Sequence, residues 1–582
     1  MNGYPCVYGQ GGVFAMSGLD GATDYRNSLV GTLLGDKMGV MLHLKARREL
    51  FFEIAPPVRE YEYVAVTHDV LDVKLHDYGH KTERRAVMAA AGPRLIVGLG
   101  CAEAIPRYFG ESDGVRSVLS GADLYSCRGE HTALAIKESG AVLKFAFAFS
   151  PDSAEDAVQT ANEGLELDVD KLTRERLAFY DNIPTPEAVE KRSANVQIAY
   201  KKAFSVLRGN VMSAEGSVKG LWTTTCRVPH RNLWLWDSVF HSFGWRYFDN
   251  ALAVRFTEAV LDNQDEDGYV PLMAWPYGVQ ETRLTQPPLL AWGLWRLYEQ
   301  SRDVSIIERN YEKLKRYIRW DLENRDANNN GLCEWFIEGD VFCRSGESGA
   351  DNSARFDKAK QMDAVDFSSF IALEAECLSK MAAVIGNEEE RRQYGDLHIK
   401  IKDAVNNLLW SENDGIYYDR VVGGDLSGVK ALSCFFPMLS GIPDERRAKR
   451  LVEHLTNPDE FYTAVPFPAD ARCEPTYGTD MWRGGVWLCY NYLVVYSLWK
   501  YGYAGLADEI AERTIETVMK YYYAHGCMFE FFDSSGEAAP LYLDRKGKCN
   551  PPYDIRLKYY PIRDYGWTSS LFIAFINGDY KL

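Results

Sequence analysis

The sequence predicts a mainly α protein, a toroid of paired helices preceded by an antiparallel β-sandwich. Three observations carry this. Beyond about residue 190, long segments such as "NALAVRFTEAVLDNQ", "VSIIERNYEKLKRYIRWDLENR" and "GLADEIAERTIETVMKYYY" repeat apolar residues at i, i+3, i+4 and i+7, one helical face each. Residues 1 to about 165 are instead rich in Gly and in short β-type runs such as "EYEYVAV", "RLIVGLG" and "AVLKFAFAFS", separated by turn signals. Finally, 582 residues exceed what one hydrophobic core organises, so two domains are expected.

Taken in order, residues 1–170 form the sandwich and 171–190 a helical linker, in which "IPTPEA" breaks the chain before a new helix. Residues 191–582 supply roughly a dozen helical segments, the number suited to pairs arranged in a ring. Loops between such helices gather at one mouth and build the site there.

Composition narrows the partners. A chain 46% hydrophobic and 25% charged is an ordinary globular one. A net charge of −17 argues against nucleic acid and against anionic membranes. The start "MNGYPCVYGQ" lacks a charged-then-apolar signal and no run of apolar residues is long enough to span a bilayer, so a cytoplasmic protein is expected. Twelve widely spaced Cys with no CxxC pair suggest reduced, buried thiols and disfavour a zinc or thioredoxin site.

The 14 Trp and 35 Tyr concentrate in loops that mix indoles with polar groups: "LWLWDS" (233–238), "LMAWPYG" (272–278), "LTQPP" (284–288), "ESGADNSARFD" (347–357), "MWRGGVWLCYNY" (481–492), "GCMFEFFD" (526–533) and "DYGWTSS" (564–570). Such interleaving suits a pocket that stacks on sugar rings while bonding their hydroxyls. Cleavage of a glycosidic bond needs two carboxyl groups from separate loops. Asp351, after Gly349 and Ala350, has a backbone free to approach a ligand, and Glu530 lies among aromatics. Local sequence leaves Asp351 equally a helix N-cap and Glu530 an exposed residue.

The motif "ESGADNSARFD" resembles the ESGxDNSPRFD of glycoside hydrolase family 63, which comprises processing α-glucosidases and bacterial α-glucosidase and mannosylglycerate hydrolase relatives; it is also similar to the ESGWDxS of the family 37 trehalases in the same clan. "LWLWDSVFH" resembles their WDSxFH, "TQPP" their SQPP, "MWRGGVWLCYNYLV" their YWRGPxWxxxNYLV, and "FEFFDSSG" and "YGWTSS" their late segments, in the expected order. The resemblance implies an (α/α)6 barrel catalytic domain behind the β-sandwich and an inverting, exo-acting glycoside hydrolase, foremost an α-glucosidase on a short oligosaccharide or small α-glucoside. A trehalase or a mannosyl- or glucosylglycerate hydrolase is the alternative, and a non-hydrolytic sugar binder or an epimerase using His230 and His241 is the alternative of another class.

By the same resemblance Asp351 is the general acid and Glu530 the general base. Trp234, Trp236, Asp237, Trp275, Gln286, Glu347, Arg355, Trp482, Arg483, Trp487 and Trp567 fall in the substrate-binding group, Glu347 in a supporting role. Ala354 and Gly485 replace Pro residues of the family pattern, which marks the leaving-group subsite as the place to differ. Separately, "DANNNGLCE" sets Asp326, Asn328, Asn330 and Glu334 at the first nine positions of a calcium loop, with Ile337 at the twelfth. It reads either as a structural Ca2+ site with its last ligand from elsewhere, as in bacterial relatives, or as an Asx-rich turn. No cofactor for catalysis is expected.

Overall fold

The computed structural model describes residues 3–56, 58, 60–76, 84–357, 360–549 and 559–581. It divides into two compact units: residues 1–215 with 226–228 and 519–528, and residues 216–225, 229–518 and 529–582.

The first unit carries β1 (Val13–Ala15), β2 (Val30–Leu33), β3 (Met38–Leu42), β4 (Arg48–Ile54), β5 (Glu60–Val66), β6 (Val70–His76) and β7 (Arg84–Gly92). β8 (Leu95–Cys101), β9 (Ala104–Gly110), β10 (Val115–Leu119), β11 (Ala122–Cys127), β12 (Glu130–Ser139) and β13 (Val142–Ser150) follow. Pairing gives two runs, β1-β2-β3-β4-β9 and β5-β6-β7-β8-β13-β12-β11-β10, joined where β8 turns into β9. Phe14, Leu42, Leu50 and Phe52 of the first share one core with Leu71, Met88, Phe145 and Phe147 of the second, a sandwich-like arrangement. Side chains alternate faces along a strand. On β13, Phe145, Phe147 and Phe149 therefore enter that core, while Ala146 and Ala148 face helices α1 (Ala154–Gly164) and α2 (Val169–Asp181).

After α2 come α3 (Glu187–Glu190) and α4 (Ala194–Gly209). The unit boundary lies at 215 rather than between 170 and 190. Arg176 of α2 and Arg208 of α4 both reach Asp20, at 2.5 and 2.6 Å, and Val169 packs on Val87, Val97 and Ala146. The segment read as a linker thus belongs with the sheet. Helical periodicity reveals a buried face, not the core that buries it.

The second unit holds α5 (Leu235–Trp245), α6 (Asn250–Leu261), α7 (Leu290–Ser301), α8 (Ser305–Asn324), α9 (Val365–Val384) and α10 (Glu388–Leu408). It continues with a 3-10 segment Leu432–Met438, then α11 (Glu445–Leu455), α12 (Leu488–Lys500), α13 (Ala504–His525), whose residues from 519 on fall in the first unit, and α14 (Gly566–Ile576). α5 packs on α7, α7 on α9, α9 on the 3-10 segment, that segment on α12, α12 on α14, and α14 back on α5, closing a circuit of six. α6, α8 and α10 pack outside α5, α7 and α9. Sequence explains the two classes. α5 and α14 are buried along their whole length, whereas α8, α10 and α11 bury one stripe and solvate the rest. The fourth inner member is short because Pro437 removes a donor and crowds the preceding turn. No helix among the described residues is long and apolar enough to cross a membrane. Among the described residues no Cys forms a disulfide, and Cys473 is exposed.

Candidate active site

Loops that precede inner members of the circuit converge on a cavity of about 210 Å³. His230, Trp234, Trp236 and Asp237 come from the start of α5, and Met273, Gln280 and Gln286 from the approach to α7. Glu338, Cys343, Gly349 and Asp351 precede α9; Met481, Trp482 and Trp487 precede α12; Glu530, Arg545, Lys546, Tyr565 and Trp567 precede or open α14. The wall therefore sits at the N-terminal ends of these helices, where backbone N–H groups lack intrahelical partners.

Indoles make much of this wall. Trp482 and Trp487 stack with centroids 3.9 Å apart and planes 2° apart, and Trp236 meets Trp567 edge to face at 5.4 Å. The "ESG" turn closes on them: Gly349 has φ +72, and a Cβ there would come within 2.4 Å of the Trp236 ring. Only glycine takes that conformation and that approach together.

Asp351 does not cap a helix. Its backbone oxygen accepts from Arg344 N at 2.8 Å, and its side chain, 19% exposed, receives Lys546 Nζ at 2.5 Å. Glu530 is fixed differently. Its backbone N–H donates to Ile562 O at 2.9 Å, its Oε2 accepts from Ile562 N at 3.0 Å, and Arg545 grips both oxygens, at 2.6 and 3.0 Å. Burial pushes the Asp237 carboxyl up to about 7, against a hydrogen bond from Thr225 and with Glu530 and Asp351 adding repulsion. His241 is buried against Thr223, and burial lowers it to about 3, so it is a neutral packing residue and no base.

The wall thus brings together Trp234, Trp236, Asp237, Gln286, Trp482, Trp487 and Trp567 with Asp351 and Glu530. Four expected substrate-binding residues lie outside it. Glu347 is fully buried and accepts from Thr285 N, Phe336 N and the Arg325 guanidinium. Arg355 is fixed by Asp366 at 2.6 Å and Asp419 at 3.2 Å; burial opposes its charge, and these two carboxylates more than offset that. Arg483 is held bidentately by Asp357 at 2.6 and 2.8 Å, which also takes Arg344. Trp275 sits in a hairpin paired with Gly278, and Met273 of that hairpin lines the wall instead. Motif membership had grouped these residues with the site, but buried charges are shared among loops to hold shape. Ala354 too acts away from the cavity: its N–H, which a proline would lack, donates to Asp470 Oδ2 at 3.2 Å.

Arg545 and Lys546 were missed by the sequence reading. "LDRKGK" carries three cations, Arg545, Lys546 and Lys548, between the "FEFFD" and "YGWTSS" loops, and that is its local signal.

The segment from Asp326 to Glu334 forms an Asx-rich turn. Asp326 accepts from Asn330 N and Gly331 N, at 3.0 and 2.9 Å. Asn328 and Asn330 both turn to Asp363, at 2.8 and 2.9 Å, and Glu334 bridges to Asp363 through the backbone. Among the described residues Glu334 Oε1 is buried without a hydrogen-bond partner. Carboxylate and amide oxygens are ligands of the type a hard cation takes, although among the described residues the acidic group whose ligand atoms lie within 4.8 Å of one another is Asp20, His68 and Asp69 rather than this loop.

A helical circuit whose mouth combines stacked indoles with two carboxyls from separate loops defines a carbohydrate-hydrolysing class of site. Residues 230–568 match the family described as the mannosylglycerate hydrolase MGH1-like glycoside hydrolase domain. The chain belongs to this family and is a glycoside hydrolase. An uncharacterized protein of Borreliella burgdorferi is 30% identical over 267 residues, covering 45% of this chain and 54% of that relative. A mannosylglycerate hydrolase of Thermus thermophilus is 24% identical over 406 residues, covering 55% of this chain and 94% of its own. A glucosylglycerate hydrolase of Mycolicibacterium hassiacum is 26% identical over 195 residues, 28% of this chain and 40% of its own. Among solved structures, the Thermus thermophilus mannosylglycerate hydrolase of family 63 in complex with Tris aligns at TM-score 0.53 and 20% identity, covering 64% of this chain and 99% of that one. A bacterial glucoamylase complexed with acarbose aligns at TM-score 0.61 and 10% identity, covering 99% and 95%. At these identities the structural likenesses describe the fold.

Proposed function

We propose that the chain is an inverting, exo-acting hydrolase of a small α-glycoside, with its helical unit an (α/α)6 barrel whose fourth inner member is the 3-10 segment. The observation that carries this is the meeting of Asp351 and Glu530, from separate loops, in one indole-walled cavity. In the reading, Asp351 gives a proton to the glycosidic oxygen as its bond to the anomeric carbon breaks. Glu530 takes a proton from the water whose oxygen bonds to the opposite face of that carbon. The inverting geometry calls for carboxyls roughly 6.5–9.5 Å apart. Glu530 Oε2 is occupied by Arg545 and Ile562 N, whereas Oε1 accepts from Arg545 alone among its bonds described above. A carboxylate oxygen has two lone pairs, so Oε1 is the side that meets the water. Asp237, with Thr225 behind it, bonds a sugar hydroxyl.

The glycone is α-glucose or α-mannose, and hexosyl glycerates stand ahead of trehalose and longer α-glucosides. The family description and the names of two relatives support that order, as does the modest cavity volume. Incubation with α-mannosylglycerate, α-glucosylglycerate, trehalose and maltose, with free hexose measured, tests the reading. Release from none of them overturns it. Asp326, Asn328, Asn330, Glu334 and Asp363 are proposed to hold a structural Ca2+, which would tie the loop after α8 to the segment before α9.

A further inference from the structure

We propose that Lys546 is a positioning residue that senses a negative charge on the leaving group: its ammonium holds Asp351 until a substrate carboxylate draws it away and frees Asp351 to protonate the glycosidic oxygen. This rests on Asp351 being the acid.

The consecutive residues Arg545 and Lys546 each take one of the two carboxylates proposed as the acid–base pair. They do so in different ways. Arg545 is 2% exposed and clamps Glu530 through two parallel bonds, a planar fork that is costly to reorient. Among the described residues Lys546 Nζ forms one ion pair, to Asp351 Oδ2 at 2.5 Å, with both side chains 19% exposed. Its charge rides on a flexible stem with three rotatable donors. Arg545 is committed, whereas Lys546 is able to swing.

The pair also creates a problem that the substrate must solve. An oxygen that accepts a charge-assisted bond from an ammonium is not the donor to a leaving group. An ammonium bound to a carboxylate favours its ionised form, so donation by Asp351 is eased when Lys546 turns to another anion. Burial works against the ammonium, and Asp351 and Cys343 beside it hold it above its ordinary range, so the charge persists through the exchange. Cys343, Glu338, Arg545, Glu530 and Asp237 share the wall with Asp351 and Lys546. A carboxylate entering the leaving-group side meets in Lys546 a cation that Glu530 does not already hold. Lys546 also has φ +51, a left-handed conformation unusual for a side-chain-bearing residue and of a kind that clusters at functional sites.

In the exchange the Lys546–Asp351 pair becomes a Lys546–carboxylate pair, and Asp351 takes a proton from solvent. It then passes that proton to the glycosidic oxygen, and Glu530 receives one from water, so protons balance. A neutral aglycone offers no such exchange.

The test compares α-glucosylglycerate with α-glucosylglycerol, and the same mannosyl pair, on wild type, K546M and K546R. Wild type is expected to favour the glycerate by about 10- to 100-fold in kcat/KM, the worth of one charge-assisted hydrogen bond. K546M loses most of that preference through KM for the glycerate, so the ratio of its two kcat/KM values falls toward one. K546R keeps the preference, and free glycerate inhibits wild type at concentrations that leave K546M unaffected. An equal fall on both substrates in K546M, or hydrolysis by wild type without preference, overturns the proposal while leaving the α-glycosidase reading intact. Hydrolysis of neither overturns both.

Discussion

Replacing Glu347 with Gln separates structural from catalytic roles within one motif. Glu347 is fully buried and receives Thr285 N at 2.9 Å, Phe336 N at 2.9 Å, and Arg325 Nε and Nη2 at 3.0 and 2.5 Å. It ties the loop before α7, the end of α8 and the loop before α9 to one carboxylate. Glutamine keeps the shape but turns an NH2 toward at least one of these donors. A buried N–H left without an acceptor costs about 1–3 kcal/mol, and breaking a buried ion pair from one side about 3–5 kcal/mol. The two overlap at one residue and are not summed, so the expected loss is about 3–5 kcal/mol, a large share of the 5–15 kcal/mol typical of a domain. Urea unfolding followed by tryptophan fluorescence reads it as a lower midpoint at unchanged slope. Because Glu347 lies outside the cavity wall, KM of the folded variant should stay within about threefold. A loss below about 1 kcal/mol, or intact stability with a large rise in KM, would refute the clamp.

The opposite pattern is expected of Asp351→Asn: kcat falls by about 10²–10⁴ with KM and melting temperature little changed, and wild-type turnover would remove Asp351 from the acid role. Glu374, buried on α9, accepts Ala291 N and Trp292 N at 2.8 Å each, and burial pushes it up to about 8. Its folded form keeps a proton that the unfolded chain has lost, so its contribution is full below about pH 4.5 and is lost as pH rises toward 8. Urea unfolding of Glu374→Gln across that window should show a flatter decline than wild type; a parallel offset would contradict this. Millimolar Ca2+ should raise the melting temperature over an EGTA control, and Asp363→Ala should abolish the rise; identical melting with and without Ca2+ in wild type would remove the cation.

Much of this arrangement was legible before any coordinates. The indole loops, the two carboxyls on separate segments, the amphipathic outer helices and the Asx-rich loop each have a local pattern with one physical cause. What escaped was pairing across distance. Arg355 and Arg483 looked like substrate cations because nothing local shows that Asp366, Asp419 and Asp357 already hold them. Lys546 and Arg545 drew no reading because the carboxylates they pair with lie 195 and 15 residues away. The boundary at 215 was missed because α2 and α4 show ordinary apolar faces, and only the sheet reveals what covers them. Ala354 was noticed as a departure, yet its use, an N–H for Asp470, depends on a residue 116 positions on.

The central claim is that Asp351 and Glu530 act as an inverting pair on an α-glycoside. It is met most directly by proton NMR of the sugar first released, recorded before mutarotation. The account predicts the β-anomer, formed by water attacking opposite the leaving group. Initial release of the α-anomer would contradict it.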